Sequence, residues 1–292
     1  MARRPLSVLI HTFNEEELIA DCLRSVSWAD EIYLLDSFST DRTVEIVRSE
    51  FPQVRIEQHR SLGSAAQKNY GMDRTRHDWV LVIDADERVI PALAAEIQST
   101  LENPRLWAYS IGRRNFVLGE ELRFSGLQND RVNRLFHRAH ARYPNRRVHA
   151  DLVVDGPVGA LRSRFDHLYV RSLEHMQAKM TRYGIWAAAQ LFVDGKSAGV
   201  AEVFLRPMIR FLRDYIVQQG FRDGMRGLIL VRMHAFYVFW KYAKLWEMRW
   251  QQRHGIEPVL PEMERDPAIW RRPWESSAPR APIRAEPARR EG

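Results

Sequence analysis

Trp79-Val80-Leu81-Val82-Ile83, followed at once by Asp84-Ala85-Asp86-Glu87, constrains the fold more than any other stretch. A run that is apolar and β-branched throughout has no polar face to turn to water, so it predicts a central strand covered on both sides. The surrounding sequence fits a parallel sheet. Leu6 to Ile10, Ile32 to Asp36 and Val54 to His59 read as further strands. Between them, Leu18, Ile19, Cys22, Leu23 and Val26 share one helical face, and Val44, Val47 and Phe51 another. Asn14 and Glu17 are spaced as a capping box, and Ser39 or Thr40 is placed to cap the second helix. A short helix is expected over Ser64 to Met72, and Pro91 opens one running from Ala92 to Leu101. Strand and helix alternating in this way predict an α/β fold built from βαβ units.

Composition narrows what such a fold can do. The 292 residues are 45% hydrophobic, enough for a substantial core. The lone cysteine, Cys22, excludes an internal disulfide or a cysteine-built zinc site; it suits apolar packing and a reducing compartment. A net charge of +7 favours anionic partners. No apolar stretch reaches the length of a spanning helix, and Leu6 to Ile10 is too short for a signal-peptide core. Between Trp107 and Tyr169 short strands alternate with many arginines, among them Arg113, Arg114, Arg131, Arg134, Arg138, Arg146 and Arg147. Helical patterns follow over Ser172 to Val193 and Ala201 to Gln219, then a turn over Gly220 to Gly227 and an aromatic, basic helix to Arg253. From Pro273 the chain is Pro, Arg and Ala with little to bury, so disorder is expected there.

In an open parallel sheet, ligands bind at the carboxyl ends of the strands. Here those ends carry Thr12, Asn14 and Glu15, then Asp36 to Asp41, then Asp84 and Asp86. Acidic clusters on one rim repel each other unless a divalent cation joins them, and carboxylate oxygens suit Mg²⁺ or Mn²⁺ while leaving positions for substrate phosphates. Asp36 is the stronger functional candidate of its cluster; Asp41 fits an Asx turn or helix cap equally well. There is no Gly-x-Gly, which removes a dinucleotide-binding oxidoreductase, and no glycine in Thr12 to Glu17, which counts against a nucleotidyltransferase. A non-enzymatic adaptor would leave the acidic rim unexplained. That rim also repels nucleic acid, and no nucleic-acid partner is expected.

Four ordered motifs carry a resemblance: Val8-Leu9-Ile10-His11-Thr12-Phe13-Asn14-Glu15-Glu16; Asp36-Ser37-Phe38-Ser39-Thr40-Asp41-Arg42-Thr43; Gly63 with Lys68-Asn69; and Asp84-Ala85-Asp86-Glu87. They resemble the successive motifs of family-2 glycosyltransferases of GT-A fold, a Rossmann-like, mostly parallel sheet flanked by helices. Asn115-Phe116 with Gly119, Arg134-Leu135-Phe136, Val148-His149, His167 and the Pro207 to Leu245 region extend it to the lipopolysaccharide-core glucosyltransferase branch. The resemblance covers all but the tail. It implies a nucleotide-sugar-binding half over 1–104, an acceptor-binding half over 105–170, a helical membrane-proximal extension over 171–256 and a basic, Pro-rich tail over 257–292. The activity implied is inverting, metal-dependent transfer of a sugar, glucose by this branch, from a UDP-sugar to a lipopolysaccharide-core or other lipid-linked, anionic glycan.

Carried onto matching positions, the resemblance has Thr12, Phe13, Asn14 and Glu15 line the nucleotide, with Phe13 against the base. Asp36 hydrogen-bonds the base edge, Lys68 faces the donor phosphates, Asp84 approaches ribose and metal, and Asp86 ligates Mg²⁺ or Mn²⁺ directly. His167 completes the metal shell, touches the diphosphate or is simply structural. His11 and Phe13 stand where the family has Pro and Tyr, and both changes keep what the site needs. Inverting transfer requires a base for the acceptor hydroxyl. The branch shows Val-His-Glu where this chain reads Val148-His149-Ala150-Asp151, so Asp151, His149 or a group elsewhere can serve. The arginines from Arg131 to Arg147 are either a solvated face or a binding surface for a phosphorylated acceptor. Phe204, Met208, Ile209, Phe211 and Leu212 among Arg206, Arg210 and Arg213 predict docking of a cytoplasmic protein on the inner face of the cytoplasmic membrane. So do Phe236, Tyr237, Phe239, Trp240, Tyr242, Trp246 and Trp250 among Arg232, Lys241, Lys244 and Arg249; the alternative is packing on the catalytic domain.

Overall fold

The computed structural model describes residues 3–60, 63–146, 151–262, 269 and 272–273. Its first half follows the expected alternation: β1 (Leu6–Thr12), α1 (Ile19–Ser25), β2 (Glu31–Asp36), α2 (Thr43–Glu50), β3 (Arg55–Gln58), α3 (Ser64–Met72) and β4 (Trp79–Asp84). The strands lie in the order β3-β2-β1-β4, all parallel. Both faces are covered because successive side chains feed different cores. Leu6, Val8 and Ile10 join Trp79, Leu81 and Ile83 against Ile19, Cys22 and Leu23. Leu9, Val80 and Val82 join Ala65 and Met72 of α3 on the other side. Each such side chain contributes about 1.5–3 kcal/mol on full burial. Gly71 lets α3 lie this close, since a Cβ there would stand 2.6 Å from Leu9 Cδ1.

The second half turns the sheet antiparallel. After β5 (Glu87–Arg88) and α4 (Pro91–Glu102) come β6 (Ala108–Val117), β7 (Glu120–Leu122), β8 (Arg131–His137), a small ladder of β9 (Ala141–Arg142) and β10 (Val153–Val154), and the long β11 (Val158–Val170). β8 pairs antiparallel with β4 and β6, β11 runs parallel to β6, and β5 closes antiparallel on β11. Among the described residues the main sheet has nine strands, ordered β3-β2-β1-β4-β8-β6-β11-β5 with β7 beside β6. Then come α5 (Leu173–Val193), a helical segment over 201–217 whose centre is α6 (Arg206–Leu212), and α7 (Gly224–Arg253). α7 packs on α5, where Gly184 makes room for Trp240. No described helix is long and apolar enough to cross a membrane.

Local details differ from the sequence expectation. There is no capping box at Asn14, which has φ 56°; α1 starts at Ile19 without a side-chain cap. At the start of α2 the acceptor is neither Ser39 nor Thr40 but Asp41, which takes the N–H and hydroxyl of Thr43. The turn expected over Gly220 to Gly227 ends sooner, with α7 already helical from Gly224. Gly227 lies inside that helix because a Cβ would come within 2.2 Å of Gly220 O. The tail expected to be disordered lies almost wholly outside the described residues.

Candidate active site

Strand register assembles the rim. Thr12 is opposite Asp36, Asp36 opposite Gln58, and His11 opposite Asp84. On the β1 and β2 ends two loops lock together: Thr40 N–H donates to Asn14 Oδ1 at 2.8 Å and Asn14 N–H to Ser39 Oγ at 2.9 Å. Asp36 is buried beneath them, its carboxylate taking Ser39 N–H at 2.9 Å, the Ser39 hydroxyl, and Gln58 Nε2 at 2.9 Å. Asn14 and Phe38 both hold left-handed backbone, at φ 56° and 61°, a strain that persists only where surrounding contacts fix it. The outcome is two outward-facing rings, Phe13 at 48% exposure and Phe38 at 53%.

At the β4 end Asp84 sits among cations. Arg134 Nη2 lies 2.6 Å from its Oδ2, His11 Nδ1 3.4 Å and Lys68 Nζ 3.5 Å from its Oδ1. Arg134, only 3% exposed, also binds buried Glu87 at 2.7 Å, and Glu87 binds Arg113 at 3.1 Å. Burial acts to raise the Asp84 pKa, but Arg134 and Lys68 outweigh it and hold the carboxyl well below its usual range. Burial lowers His11 to about 4, so its ring is neutral at pH 7. Burial raises Glu15 to about 7 against the pull of Arg171, whose Nη2 is 3.4 Å away.

Asp86 is partnered from far along the chain. Its carbonyl accepts Leu168 N–H at 2.8 Å where β5 pairs with β11, which brings His167 Nε2 to 3.5 Å from Asp86 Oδ2. The tautomer of His167 follows from its other contacts. Asp130 is an acceptor, so it fixes the Asn115 amide nitrogen toward itself at 3.0 Å; Asn115 Oδ1 then faces His167 Nδ1 at 2.7 Å. Nδ1 therefore carries the proton, and in the neutral ring the Nε2 lone pair points at the Asp86 carboxylate. Nε2 can therefore meet Asp86 in two ways, as a protonated donor or through a cation that both groups ligate. Lys179 of α5 reaches the same oxygen of Asp86, at 3.6 Å. Burial works to raise the Asp86 pKa, but His167 and Lys179 bring it far below the usual range.

Among the described residues no three His, Cys, Asp or Glu side chains converge on one point. Asp86 and His167 supply two ligands of the right chemistry, leaving the rest to phosphate and water, the usual situation for Mg²⁺. Thr12 Oγ1 is buried without a hydrogen-bond partner among the described residues, as expected of a group that completes its bonding with a ligand. The residues present therefore fit a nucleotide-associated cation.

Of the residues singled out from sequence, Lys68, Asp84, Asp86 and His167 are linked at the β4 end, and Thr12, Phe13, Asn14 and Asp36 lie on the neighbouring loops. Glu15 joins the two groups through Arg171 on the entry to α5. Asp151 is exposed, beside buried Leu152. Val148 and His149 lie outside the described residues. The view of Arg131 to Arg147 as a solvated face needs correction. Arg131 binds the Ser110 and Leu161 carbonyls, Arg138 binds Asp78, and buried Arg142 binds Asp73 through both its Nη atoms. Arg134 on β8 and Arg142 on β9 are buried internal ties, while Arg131 and Arg138 are held to the protein at its surface. Sequence reasoning missed Arg134 as a site residue, and missed Lys179, Arg171 and Asn115. Arg134, quoted within Arg134-Leu135-Phe136, and Asn115, quoted within Asn115-Phe116, had a local signal; Lys179 and Arg171 had none.

A parallel β-α half continuing into an antiparallel half, with Asp-x-Asp at the end of the central strand, defines the GT-A fold of glycosyltransferases. The Glycosyl transferase family 2 model matches residues 7–162, over half of the chain, and the chain belongs to that family. It is similar, at 29% identity over 87% of its length and 94% of the relative's, to the lipopolysaccharide core biosynthesis glycosyltransferase LpsC of Rhizobium meliloti (strain 1021). An uncharacterized glycosyltransferase of Rickettsia typhi (strain ATCC VR-144 / Wilmington) is 27% identical over 87% of this chain and 90% of its own. Among solved structures, S. aureus TarS is similar at 14% identity and TM-score 0.42, covering 86% of this chain and 92% of that one. Glucosyl-3-phosphoglycerate synthase from Mycobacterium tuberculosis, with Mn²⁺ and UDP, is similar at 22% identity and TM-score 0.33 over 39% of this chain and 44% of its own.

Proposed function

We propose that this glycosyltransferase is inverting and metal dependent, and that it moves glucose from a UDP-sugar to a lipopolysaccharide-core or related lipid-linked glycan. The observation that supports the metal requirement is the convergence of His167 Nε2 and Asp86 Oδ2, 3.5 Å apart at the end of the central strand, with His167 Nδ1 held by Asn115. The printed name of the Rhizobium meliloti relative supports the acceptor class. The sugar and the nucleotide rest on the motifs.

In this reading Asp86 and His167 hold Mg²⁺ or Mn²⁺, with Asp84 close behind and kept ionised by Arg134. When bound, the cation supplies Lewis-acid stabilisation of the negative charge that develops on the departing diphosphate. The protein's own groups do the rest. Phe13 and Phe38 offer ring faces to the base, Asp36 holds from beneath the loops that meet the base edge, and the free Thr12 hydroxyl binds the nucleoside. Lys68 and Lys179 direct their ammonium groups to the phosphates, where the shielded site strengthens the attraction. Asp151 takes the proton of the acceptor hydroxyl as that oxygen attacks the anomeric carbon from the face opposite the leaving group; His149 is the alternative base. Thermal stabilisation of the full chain by UDP-, GDP-, dTDP- and ADP-sugars with Mn²⁺ tests the donor class. UDP-glucose should give the largest shift, and preference for another nucleotide overturns the UDP assignment.

A further inference from the structure

The helical segment over 201–217 carries a run of exposed apolar side chains. Val200, Phe204, Met208, Leu212 and Ile216 recur every four residues, and all are exposed, Val200 at 84%. Leu205, Ile209 at 62% and Val217 at 71% lie beside them. In a pure α-helix such a row drifts around the axis, because a turn takes 3.6 residues. Here Ala201–Leu205 and Arg213–Val217 are wider π turns on either side of α6, which take in more residues each and keep the row straight. Pro207, which lacks the N–H that would continue the α ladder, sits where the register changes.

The rest of the segment is anchored, so the stripe is a fixed face. Asp214 is fully buried against Arg210, Arg213 and His234, and Asp223 accepts the N–H groups of Arg123 and Phe124. Asp214 and Asp223 are thereby turned inward; Glu202 stays at the surface 3.9 Å from Arg206, and Arg206 and Arg213 keep their guanidinium groups more than half exposed. α7 behaves differently: Phe236 and Tyr237 pack with Met176 and Met180, Trp240 covers Gly184, and Tyr242 packs with Leu245 and Met248. Phe236, Tyr237, Trp240 and Tyr242 are thus partly buried in the helical layer, while Phe239, Trp246 and Trp250 are exposed.

We propose that the exposed face of 200–217 docks in the plane of an anionic lipid surface, with its apolar stripe at the acyl boundary and Arg206 and Arg213 on headgroup phosphates. An amphipathic face flanked by arginines has the chemistry of an interfacial helix, and its charges suit it to lie on a bilayer rather than cross it. A second copy fits less well, since a two-fold contact through this face would bring the same arginines together. The inference is independent of the donor and metal assignments.

The test is co-sedimentation of the full chain with vesicles of phosphatidylcholine alone and with phosphatidylglycerol added, at low and high salt. Wild type should bind the anionic vesicles at low salt. Phe204→Asp with Ile209→Asp should weaken binding roughly tenfold or more, and Arg206→Glu with Arg213→Glu should remove the preference for anionic lipid. The melting temperature of the Phe204→Asp, Ile209→Asp variant should stay at the wild-type value, because neither side chain is buried; Arg213→Glu sets a carboxylate against buried Asp214, so the charge variant is compared well below its own melting temperature. Failure of wild type to bind anionic vesicles at low salt overturns the proposal. So does a wild-type dimer in solution that Ile209→Asp dissociates, or variants that bind as wild type does.

Discussion

Replacing Arg134 by methionine removes the guanidinium shared by Asp84 and Glu87 while keeping much of the side-chain volume. Breaking a buried ion pair from one side typically costs about 3–5 kcal/mol, because the carboxylates stay behind without their partner. The structure argues for the low end. Glu87 keeps Arg113 at 3.1 Å, and Asp84 keeps Lys68 at 3.5 Å and remains partly open to water. A loss of about 3 kcal/mol lowers the melting temperature by roughly 6–10 °C. The pH dependence follows from Asp84, whose folded pKa is depressed, so its contribution is present above the unfolded value and lost as pH falls through the folded one. The gap between wild type and Arg134→Met should be widest near neutrality and should narrow below about pH 4. Thermal unfolding followed by circular dichroism across that range measures both. A loss under about 2 °C at pH 7, or a gap that stays constant into acid, refutes the assignment of Arg134 as the buried counter-ion.

Glu15 gives the opposite sign. Burial raises its pKa from 4.5 to about 7, so folding is disfavoured progressively as pH climbs through that interval. Glu15→Gln should therefore be more stable than wild type at pH 8 and equal to it at pH 4; parallel melting profiles would contradict this. Gly227→Ala pushes a methyl to within 2.2 Å of the Gly220 carbonyl and should destabilise by about 1–3 kcal/mol or more, read as a lowered melting temperature. Asp151→Asn should lower kcat by a factor on the order of a hundred with donor KM retained; unchanged kcat passes the role of base to His149 or beyond.

The parallel half of the sheet was legible because its constraint is local. Trp79 to Ile83 has no polar face, so it had to be central, and the topology then fixed which ends of β1, β2 and β4 met. Asp36, Asp84 and Asp86 were legible for the same reason. His167 was visible only through the resemblance, since its approach to Asp86 depends on β11 crossing to pair with β5, a long-range register that no spacing reveals. Lys179 left no trace, because it reaches Asp86 from a helix laid over the rim after that crossing. Arg134 was misjudged along with its neighbours. Charge density suggests solvent, yet β8 pairs with β4 and turns Arg134 into the sheet, where two carboxylates await it. The aromatic stretch of α7 was ambiguous in principle, as interior packing and an interfacial face use the same side chains.

The central claim is that Asp86, backed by His167, holds a divalent cation that the nucleotide requires. Calorimetric titration of UDP into wild type and Asp86→Ala, each with Mn²⁺ and with EDTA, tests it most directly. Wild type should bind UDP with Mn²⁺ and lose at least about tenfold in affinity with EDTA, while Asp86→Ala, still folded, should bind weakly in both. Equal affinity of wild type with and without Mn²⁺, or an Asp86→Ala variant whose Mn²⁺-dependent binding matches wild type, would contradict the account.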